Sequence, residues 1–421
     1  VQPPDGNHLE ESGGDGGMKW EKVKLGDIAT CIQPGPFGSQ LHNSDYSKEG
    51  TPIIMPKDIV GGAIVHSGLL KVSEEHVKRL SRHQVYEGNL MVARKGDVRK
   101  CAYITANENG WMTGSDCLKV VLDESKCYPK FIYYQLRSEH IGRWLEKVSI
   151  GATMPSLNTG LLSGIEMVLP PIEIQKQIAG ILSVCDDLIE NNQKQIKLLE
   201  EAAQRLYKEW FVDLRFPGHE NTKIVDGVPE GWNICPFSSK VDIMSGGTPK
   251  TSISDYYNGR IPFYTPKDSD GAFFAYKTQI NITEGGLKNC NSRLYPPKTV
   301  IITARGTVGK TTILAVPMAM NQSCYALKMK ENDAPYYLFF ALNNEIKALQ
   351  TMANGGVFNT IIGKTFDSIN IQIPKDPLIY GFEKTVRPFM EQIKNKLQAN
   401  SKLVEARNRL LLKMMNGEVE V

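Results

Sequence analysis

The segment Ala304-Arg-Gly-Thr-Val-Gly-Lys-Thr311 carries the residue types that cradle nucleotide phosphates, with Ala304 standing where the first glycine of a G-x4-G-K-[ST] loop belongs. A true phosphate loop opens a helix, whose N-terminal amides hold the anion. Here Thr312-Ile-Leu-Ala-Val-Pro317 follows, β-branched and closed by proline. The spacing therefore predicts strand, glycine turn and strand, a β-hairpin rather than an ATP site. A second segment, Ala93-Arg-Lys-Gly-Asp-Val-Arg-Lys100, has the same form in the first half of the chain. What both turns offer is positive charge: Arg94, Lys95, Arg99 and Lys100 in the first, Arg305 and Lys310 in the second. Long cationic side chains on a turn reach phosphate oxygens or the guanine edge. The bland alternative is a solvated hairpin tip with no partner.

Further candidates for DNA contact are Lys57 and Lys267, each inside a Pro-Lys-Asp triplet, and Lys250, in Gly246-Gly-Thr-Pro-Lys250, the counterpart of Pro34-Gly-Pro-Phe-Gly-Ser-Gln40. Arg79 and Arg82, with Lys78 and His83 beside them, add basic character to the first half. Taken singly, each of these fits a turn or a solvated face as well as a contact. Tyr256, Tyr257, Phe273 and Phe274 read as core. Signatures of catalysis are missing: no G-x-S-x-G, no H-E-x-x-H, no glycine-rich S-adenosylmethionine loop and no Asp/Asn-Pro-Pro-Tyr/Phe motif for a flipped adenine. The eight cysteines form no C-x-x-C pair and have no histidine at metal spacing, so they read as free thiols in a reducing cytoplasm, with no metal site.

The elements that must position these residues occur twice. Trp20, Pro52-Ile-Ile-Met-Pro-Lys-Asp58, Met91-Val-Ala-Arg-Lys-Gly96, Pro129-Lys-Phe-Ile-Tyr-Tyr-Gln-Leu136 and Gly151-Ala-Thr-Met-Pro-Ser-Leu157 come first. Trp232, Pro262-Phe-Tyr-Thr-Pro-Lys-Asp268, Ile301-Ile-Thr-Ala-Arg-Gly306, Pro335-Tyr-Tyr-Leu-Phe-Phe-Ala-Leu342 and Gly355-Gly-Val-Phe-Asn-Thr-Ile361 answer in the same order. An offset of 204 to 212 residues is too long for a solenoid and indicates two homologous α+β domains. Short β-type runs with glycine and proline punctuation fill residues 20 to 170, broken by one helix near Pro129 to Val148.

Each copy ends in heptad-spaced apolar residues. The first set is Ile174, Ile178, Ile181, Cys185, Leu188, Leu199, Ala202 and Leu206, the second Phe382, Val386, Phe389, Ile393, Leu397, Leu403, Leu410 and Met414. Each helix has one stripe and needs a partner, so the two are expected to pair antiparallel as a coiled coil with approximate two-fold symmetry. Asn192, Gln195 and Asn400 interrupt the seams; they either fix register or face solvent at a shifted stripe. The expected boundaries are 1–17 a vector remnant, 18–170 and 217–374 the two domains, and 171–216 and 375–421 the two helices. Without Asp5, Glu10, Glu11 and Asp15 of the first segment, the formal net charge of +3 becomes +7, compatible with nucleic acid. No apolar run approaches the roughly 20 residues that cross a bilayer.

With these motifs in view, the chain resembles the specificity (S) subunits of type I restriction-modification systems, over essentially all of Met18 to Val421. The resemblance rests on the duplicated Gly35-Pro-Phe-Gly-Ser39 and Gly246-Gly-Thr-Pro249 loops, Pro-Lys-Asp, Gly151-Ala-Thr-Met-Pro-Ser-Leu-Asn158, Leu169-Pro-Pro-Ile-Glu-Ile-Gln-Lys-Gln-Ile-Ala179 and Leu206-Tyr-Lys-Glu-Trp-Phe-Val-Asp213. In the second copy Leu169-Pro-Pro becomes Ile373-Pro-Lys-Asp-Pro377, and the Glu-Ile-Gln segment is not clearly repeated. The resemblance implies two target recognition domains, a spacer of two antiparallel helices and a bipartite double-stranded DNA site. It also implies two methyltransferase subunits for N6-adenine methylation and restriction subunits for ATP-dependent cleavage. S-adenosylmethionine and ATP would then be bound by those partners, this chain carrying no cofactor and no catalytic residue. A stand-alone DNA-binding regulator and a P-loop ATPase are the competing readings. If the resemblance holds, the purified chain transfers no methyl groups from S-adenosylmethionine, and adding the methyltransferase encoded beside its gene creates activity on one bipartite sequence; radiolabel transfer by the chain alone overturns it.

Overall fold

The computed structural model describes residues 20–149, 156–352, 361–415 and 418–419. The segment read as a vector remnant and most of the two glycine segments beginning at Gly151 and Gly355 lie outside the described residues. Two compact units emerge, one made of residues 1–188 with 403–421 and the other of residues 189–402. Their boundary runs through the middle of both long helices, not between the helices and the domains.

In the first unit the strand Glu21–Lys24 pairs antiparallel with Glu166–Leu169, the strand that leads into the first long helix. One antiparallel sheet has the order Ala29–Pro34, Cys117–Leu122, Leu90–Ala93, Cys101–Tyr103. A second contains Thr51–Ile54 between Leu70–Val72 and Met112–Thr113, the last running parallel to it. All four residues of Leu90–Ala93 are buried because both faces of its sheet are covered. Leu90 and Val92 join Phe131, Ile132 and Tyr134 of the helix Pro129–Leu136, while Met91 faces Ile54, Ile59 and Val85 on the other side. The single helix expected near Pro129 to Val148 is two, Pro129–Leu136 and Glu139–Val148. Ser138 breaks the run, its hydroxyl accepting from the Ile141 amide at 3.3 Å to cap the second piece.

The second unit repeats this plan. Asn233–Pro236 pairs antiparallel with Asn370–Ile373. The main sheet has the order Val241–Ser245, Cys324–Met329, Val300–Thr303, Thr311–Leu314, Phe274–Ala275, the last strand having no counterpart in the first sheet. Tyr257–Tyr264 pairs with Asn281–Ile282 on one side and runs parallel to Ala319–Met320 on the other. Val300 and Ile302 pack on the helix that starts at Pro335, and Ile301 packs on Tyr264 and Met320.

The long helices are Ile172–Tyr207, extended by a π-helical turn Lys208–Val212, and Asp376–Met415. Within the second unit they run antiparallel: the Tyr207 and Phe382 rings lie 5.8 Å apart, and Asn192 Nδ2 donates to Asn400 Oδ1 at 2.8 Å. The central asparagines thus face each other across the seam. Within the first unit Ile178, Ala179 and Leu182 share a core with Leu411 and Met414. Ile178, Phe382, Val386 and Ile393 are fully buried, and Ile174, Leu199, Leu206, Phe389 and Leu410 are half-buried against the two main cores.

Three expected seam residues are corrected. Ile181 and Leu188 point outward, 42% and 47% exposed, and Leu403 is half-exposed and belongs to no apolar cluster. The first helix carries two apolar rows in its N-terminal half, and the row that pairs steps from Ile178 to Leu182, one residue beyond Ile181. Val184 lies with Ile181 and Leu188 on the outer row. Truncation separates the rows: Ile178→Ala costs about 2–5 kcal/mol in chemical denaturation, whereas Ile181→Ala stays within about 0.5 kcal/mol. Equal losses would return Ile181 to the seam.

Candidate nucleic-acid interface

Each unit assembles three backbone features around its basic hairpin. The first hairpin closes with the Ala93 amide donating to the Lys100 carbonyl at 2.9 Å, the second with Thr303 donating to Lys310 at the same distance. Gly96 and Gly306 occupy the turns with φ of +78° and +79°, a left-handed conformation that favours glycine. Thr311–Leu314 runs antiparallel to Val300–Thr303 directly after the second turn, so no helix N-terminus meets Gly309 and Lys310. The phosphate-loop resemblance therefore has no phosphate-loop geometry.

The second feature is the Pro-Lys-Asp turn. Asp58 Oδ2 accepts from the Met55 amide at 2.9 Å, and Asp268 Oδ2 from the Thr265 amide at 2.8 Å, which holds each turn and leaves Lys57 and Lys267 outward. Hairpin and turn are tied together in both copies. Lys100 Nζ donates to the Pro56 carbonyl at 3.1 Å, and Thr307 Oγ1 to the Pro266 carbonyl at 3.3 Å.

The third feature is the glycine loop. A Cβ on Gly35 would lie 1.9 Å from the Gly114 carbonyl oxygen, and one on Gly246 would lie 2.1 Å from that of Asn321, so each loop passes too close to its neighbour for any side chain. Behind Gly35, Phe37 is 54% exposed, and the Arg94 guanidinium stands 5.6 Å from its ring centroid. Arg79 donates to the Gln40 carbonyl at 2.9 Å, and Gln33 Nε2 donates to the Arg82 carbonyl at 2.7 Å. Arg79 and Arg94 thus contact the same loop, and Arg82 contacts the strand that leads into it.

Backbone bonds set the equivalences. Arg94 donates to the Asp116 carbonyl and accepts from Leu157, and Ala304 donates to Ser323 and accepts from Ile361. Arg94 therefore corresponds to Ala304, Lys95 to Arg305 and Lys100 to Lys310. The first copy carries two hairpin cations, Arg94 and Arg99, that the second replaces with Ala304 and Gly309.

The copies also differ in how their cations are held. Lys57 pairs with Asp58 at 2.6 Å, Lys95 with Asp116 at 3.1 Å and Arg99 with Glu146 at 3.3 Å. Lys250, Lys267, Arg305 and Lys310 are exposed and, among the described residues, join no ion pair. Arg99 leans toward the helix Glu139–Val148 through Glu146, and Arg82 donates from Nε to His83 Nε2 at 3.1 Å.

Lys119 is a residue that sequence reasoning missed. It is buried on the strand Cys117–Leu122, and its Nζ donates to the carbonyls of Arg82 and Gln84 at 2.6 and 2.9 Å. Burial lowers its pKa, and burial followed by the charges of Arg82 and Lys119 pulls His83 down to about 4. The signal was a lone charge in the apolar run Leu118-Lys-Val-Val-Leu122. Lys119 holds the Arg82 turn by its backbone and leaves the arginine side chain outward.

Among the described residues no cluster of three or more His, Cys, Asp or Glu could hold a metal, and no helix is long and apolar enough to cross a membrane. The sequence matches the type I restriction modification DNA specificity domain family over residues 18–201 and 229–400, one match on each copy. It is similar to the type I restriction enzyme MjaIX specificity subunit of Methanocaldococcus jannaschii, 24% identical over 96% of this chain and 94% of that one. The HindI specificity subunit of Haemophilus influenzae is 22% identical over 95% and 99%. A solved type I restriction-modification system S subunit from M. genitalium shares the fold with a TM-score of 0.53, at 18% identity, over 94% of this chain and 96% of that one. Two matched domains, each with hairpin, turn and glycine loop in the same arrangement, and full-length relatives place the chain in the family of type I restriction-modification specificity subunits, which select DNA and are not themselves enzymes.

Proposed function

We propose that this specificity subunit reads a bipartite double-stranded DNA site, each recognition unit taking one half-site with the surface formed by its hairpin, Pro-Lys-Asp turn and glycine loop. The observation that carries the reading is the recurrence of that three-part assembly in both units, with Lys57, Arg94, Lys95 and Lys100 around one and Lys267, Arg305 and Lys310 around the other. The backbone bonds fix the assembly, so the cations are presented from a rigid base. Because Arg94 and Arg99 are replaced by Ala304 and Gly309, the half-sites differ in sequence. The complex works in the cytoplasm with two methyltransferase subunits and with restriction subunits, which bind S-adenosylmethionine and ATP. The outer row Ile181, Val184 and Leu188 is an apolar stripe on the first long helix and supplies the methyltransferase docking face.

Salt dependence tests the DNA surface. Each phosphate contact contributes about 0.9 to the slope of log affinity against log salt. Arg305→Ala with Lys310→Ala, both free of ion pairs, lowers the slope measured on the assembled complex by nearly two. Lys95→Ala lowers it by less than one, because Asp116 already offsets part of that charge. Unchanged slopes in the double variant would put the DNA elsewhere.

A further inference from the structure

One charged pair lies in the helix seam of the first unit. Arg407, 6% exposed, donates to Asp186 Oδ1. The other carboxylate oxygen accepts from the Tyr134 hydroxyl at 2.8 Å and has the Arg137 guanidinium at 3.9 Å. Arg137 donates to the Tyr133 hydroxyl and to the Gly61 carbonyl, the latter at 2.6 Å, and Tyr133 donates to the Gly62 carbonyl at 3.0 Å. A two-glycine turn is thus tied to both long helices. Gly61 and Gly62 have φ of +63° and +97°, and a Cβ on Gly62 would lie 2.3 Å from Arg137 and Tyr133. This turn joins the short strands Ile59–Val60 and Ala63–Ile64, immediately after the Pro-Lys-Asp turn. Ile59 and Ile64 pack on Met91 and Ala102, which belong to the strands of the basic hairpin.

In the second unit the turn has polar ties of its own, the half-buried Glu200 carboxylate bonding the Phe273 amide and the Tyr276 hydroxyl donating to the Lys394 carbonyl at 2.6 Å, but the pair in the helix seam is apolar. The long helices begin at Ile172 and Asp376, 204 residues apart, and this offset puts Met390 at the place of Asp186 and Ala203 at that of Arg407, both fully buried. Phe339 and Phe340 stand at Tyr133 and Tyr134, and Phe273 packs on them with ring centroids 4.9 and 5.7 Å away. An apolar pair therefore suffices to hold the seam together. Burying a guanidinium and a carboxylate is costly, and an apolar replacement is often no less stable. What the charged pair adds is direction: its hydrogen bonds are satisfied in one geometry only.

We propose that Asp186, Arg407 and Arg137 are positioning residues of the first recognition unit, fixing the Gly61–Gly62 turn and, through it, the Pro-Lys-Asp turn and the basic hairpin. This rests on the DNA reading proposed above. Selection of the first half-site then depends on an arginine of the second long helix, 221 residues along the chain from its partner Asp186.

The test uses the full chain assembled with the methyltransferase encoded beside its gene. Asp186→Met with Arg407→Ala transplants the second unit's pair into the first. The double variant melts near the wild type and discriminates single base-pair changes in the second half-site as the wild type does. Discrimination in the first half-site falls about ten-fold, the contribution of one well-placed base contact. Arg137→Met, which leaves Asp186 and Arg407 paired, has the same effect. Without DNA, amide exchange across Ile59–Val65 accelerates in both variants while Ser269–Phe274 is unchanged. Wild-type discrimination at both half-sites together with wild-type exchange overturns the proposal, and should the double variant fail to fold, Arg137→Met decides alone. A wild-type assembly that prefers no sequence overturns the DNA reading itself, and is distinguished from failure of the joint by the exchange measurement.

Discussion

Leu411 and Met414 sit in the same apolar core as Leu25, Ile28 and Leu90, and that contact constrains the whole chain. The first unit cannot complete its core from the first half of the sequence, because the row Ile178, Ala179 and Leu182 needs cover from the last turns of the second long helix. The second unit has the complementary requirement. Its core takes Ile196, Ala203, Tyr207 and Phe211 from the first helix and Ile379, Phe382, Val386, Met390 and Ile393 from the second. Covering this much apolar surface outweighs most single polar terms, at about 25 cal/mol per Å² removed from water. Each helix thus serves two cores, and each core is built from segments far apart in sequence, which slows folding through the entropy of loop closure.

Within that frame, duplication preserves what the backbone requires and releases what faces outward. Gly35 and Gly246 persist because a neighbouring carbonyl occupies the place of a side chain, and Asp58 and Asp268 persist in holding the same turn amides. Gly96 and Gly306 persist because the turn needs positive φ. Between these fixed points Ala304 stands in the second copy where Arg94 stands in the first, and Gly309 where Arg99 stands. A recognition surface can change under such rules without disturbing its support, since the exposed cations carry little of the folding energy.

The duplicated domains, the hairpins and the helix pair were legible because each rests on a short-range rule: a turn glycine, alternation along a strand, or a heptad. The pairing row was legible only in part. Ile178, Phe382, Val386 and Ile393 follow the heptad, but Ile181 and Leu188 follow an equally good one on the opposite edge of the stripe, and spacing alone cannot choose between two apolar rows of one helix. The break at Ser138 was masked by apolar residues on both sides of it. Asn192 and Asn400 could have faced solvent, and only their 2.8 Å contact assigns them to each other. Lys119 was visible as a charge among Leu118, Val120 and Val121, yet its role depends on carbonyls 35 and 37 residues earlier, at Gln84 and Arg82. Long-range polar partners leave little periodic trace in a sequence.

A further constraint links the reading surface to the spacer. In both units the helix behind the main sheet has its N-terminal amides held by a side chain of a long helix. Gln175 Oε1 accepts from the Tyr128 amide at 2.8 Å, while its Nε2 donates to the Pro170 carbonyl at 2.7 Å. Glu383 Oε1 accepts from the amides of Tyr336 and Tyr337 at 2.7 and 2.8 Å. Burial raises Glu383 to about 7, against the pull of the Tyr337 and Tyr336 amides toward a lower value. The charged form suits the positive end of the helix Pro335–Met352, so deprotonation tightens the cap that protonation weakens. Gln175 performs its part with no charge at all. The two caps differ in chemistry and lie one turn apart on their long helices, but each anchors its backing helix, since an amide held by an oxygen on a neighbouring helix can neither slide nor rotate far without losing its partner. Hairpin, sheet, backing helix and spacer helix therefore form one mechanical series in each unit, and the direction in which each hairpin points relative to its own spacer helices is set where its backing helix meets them.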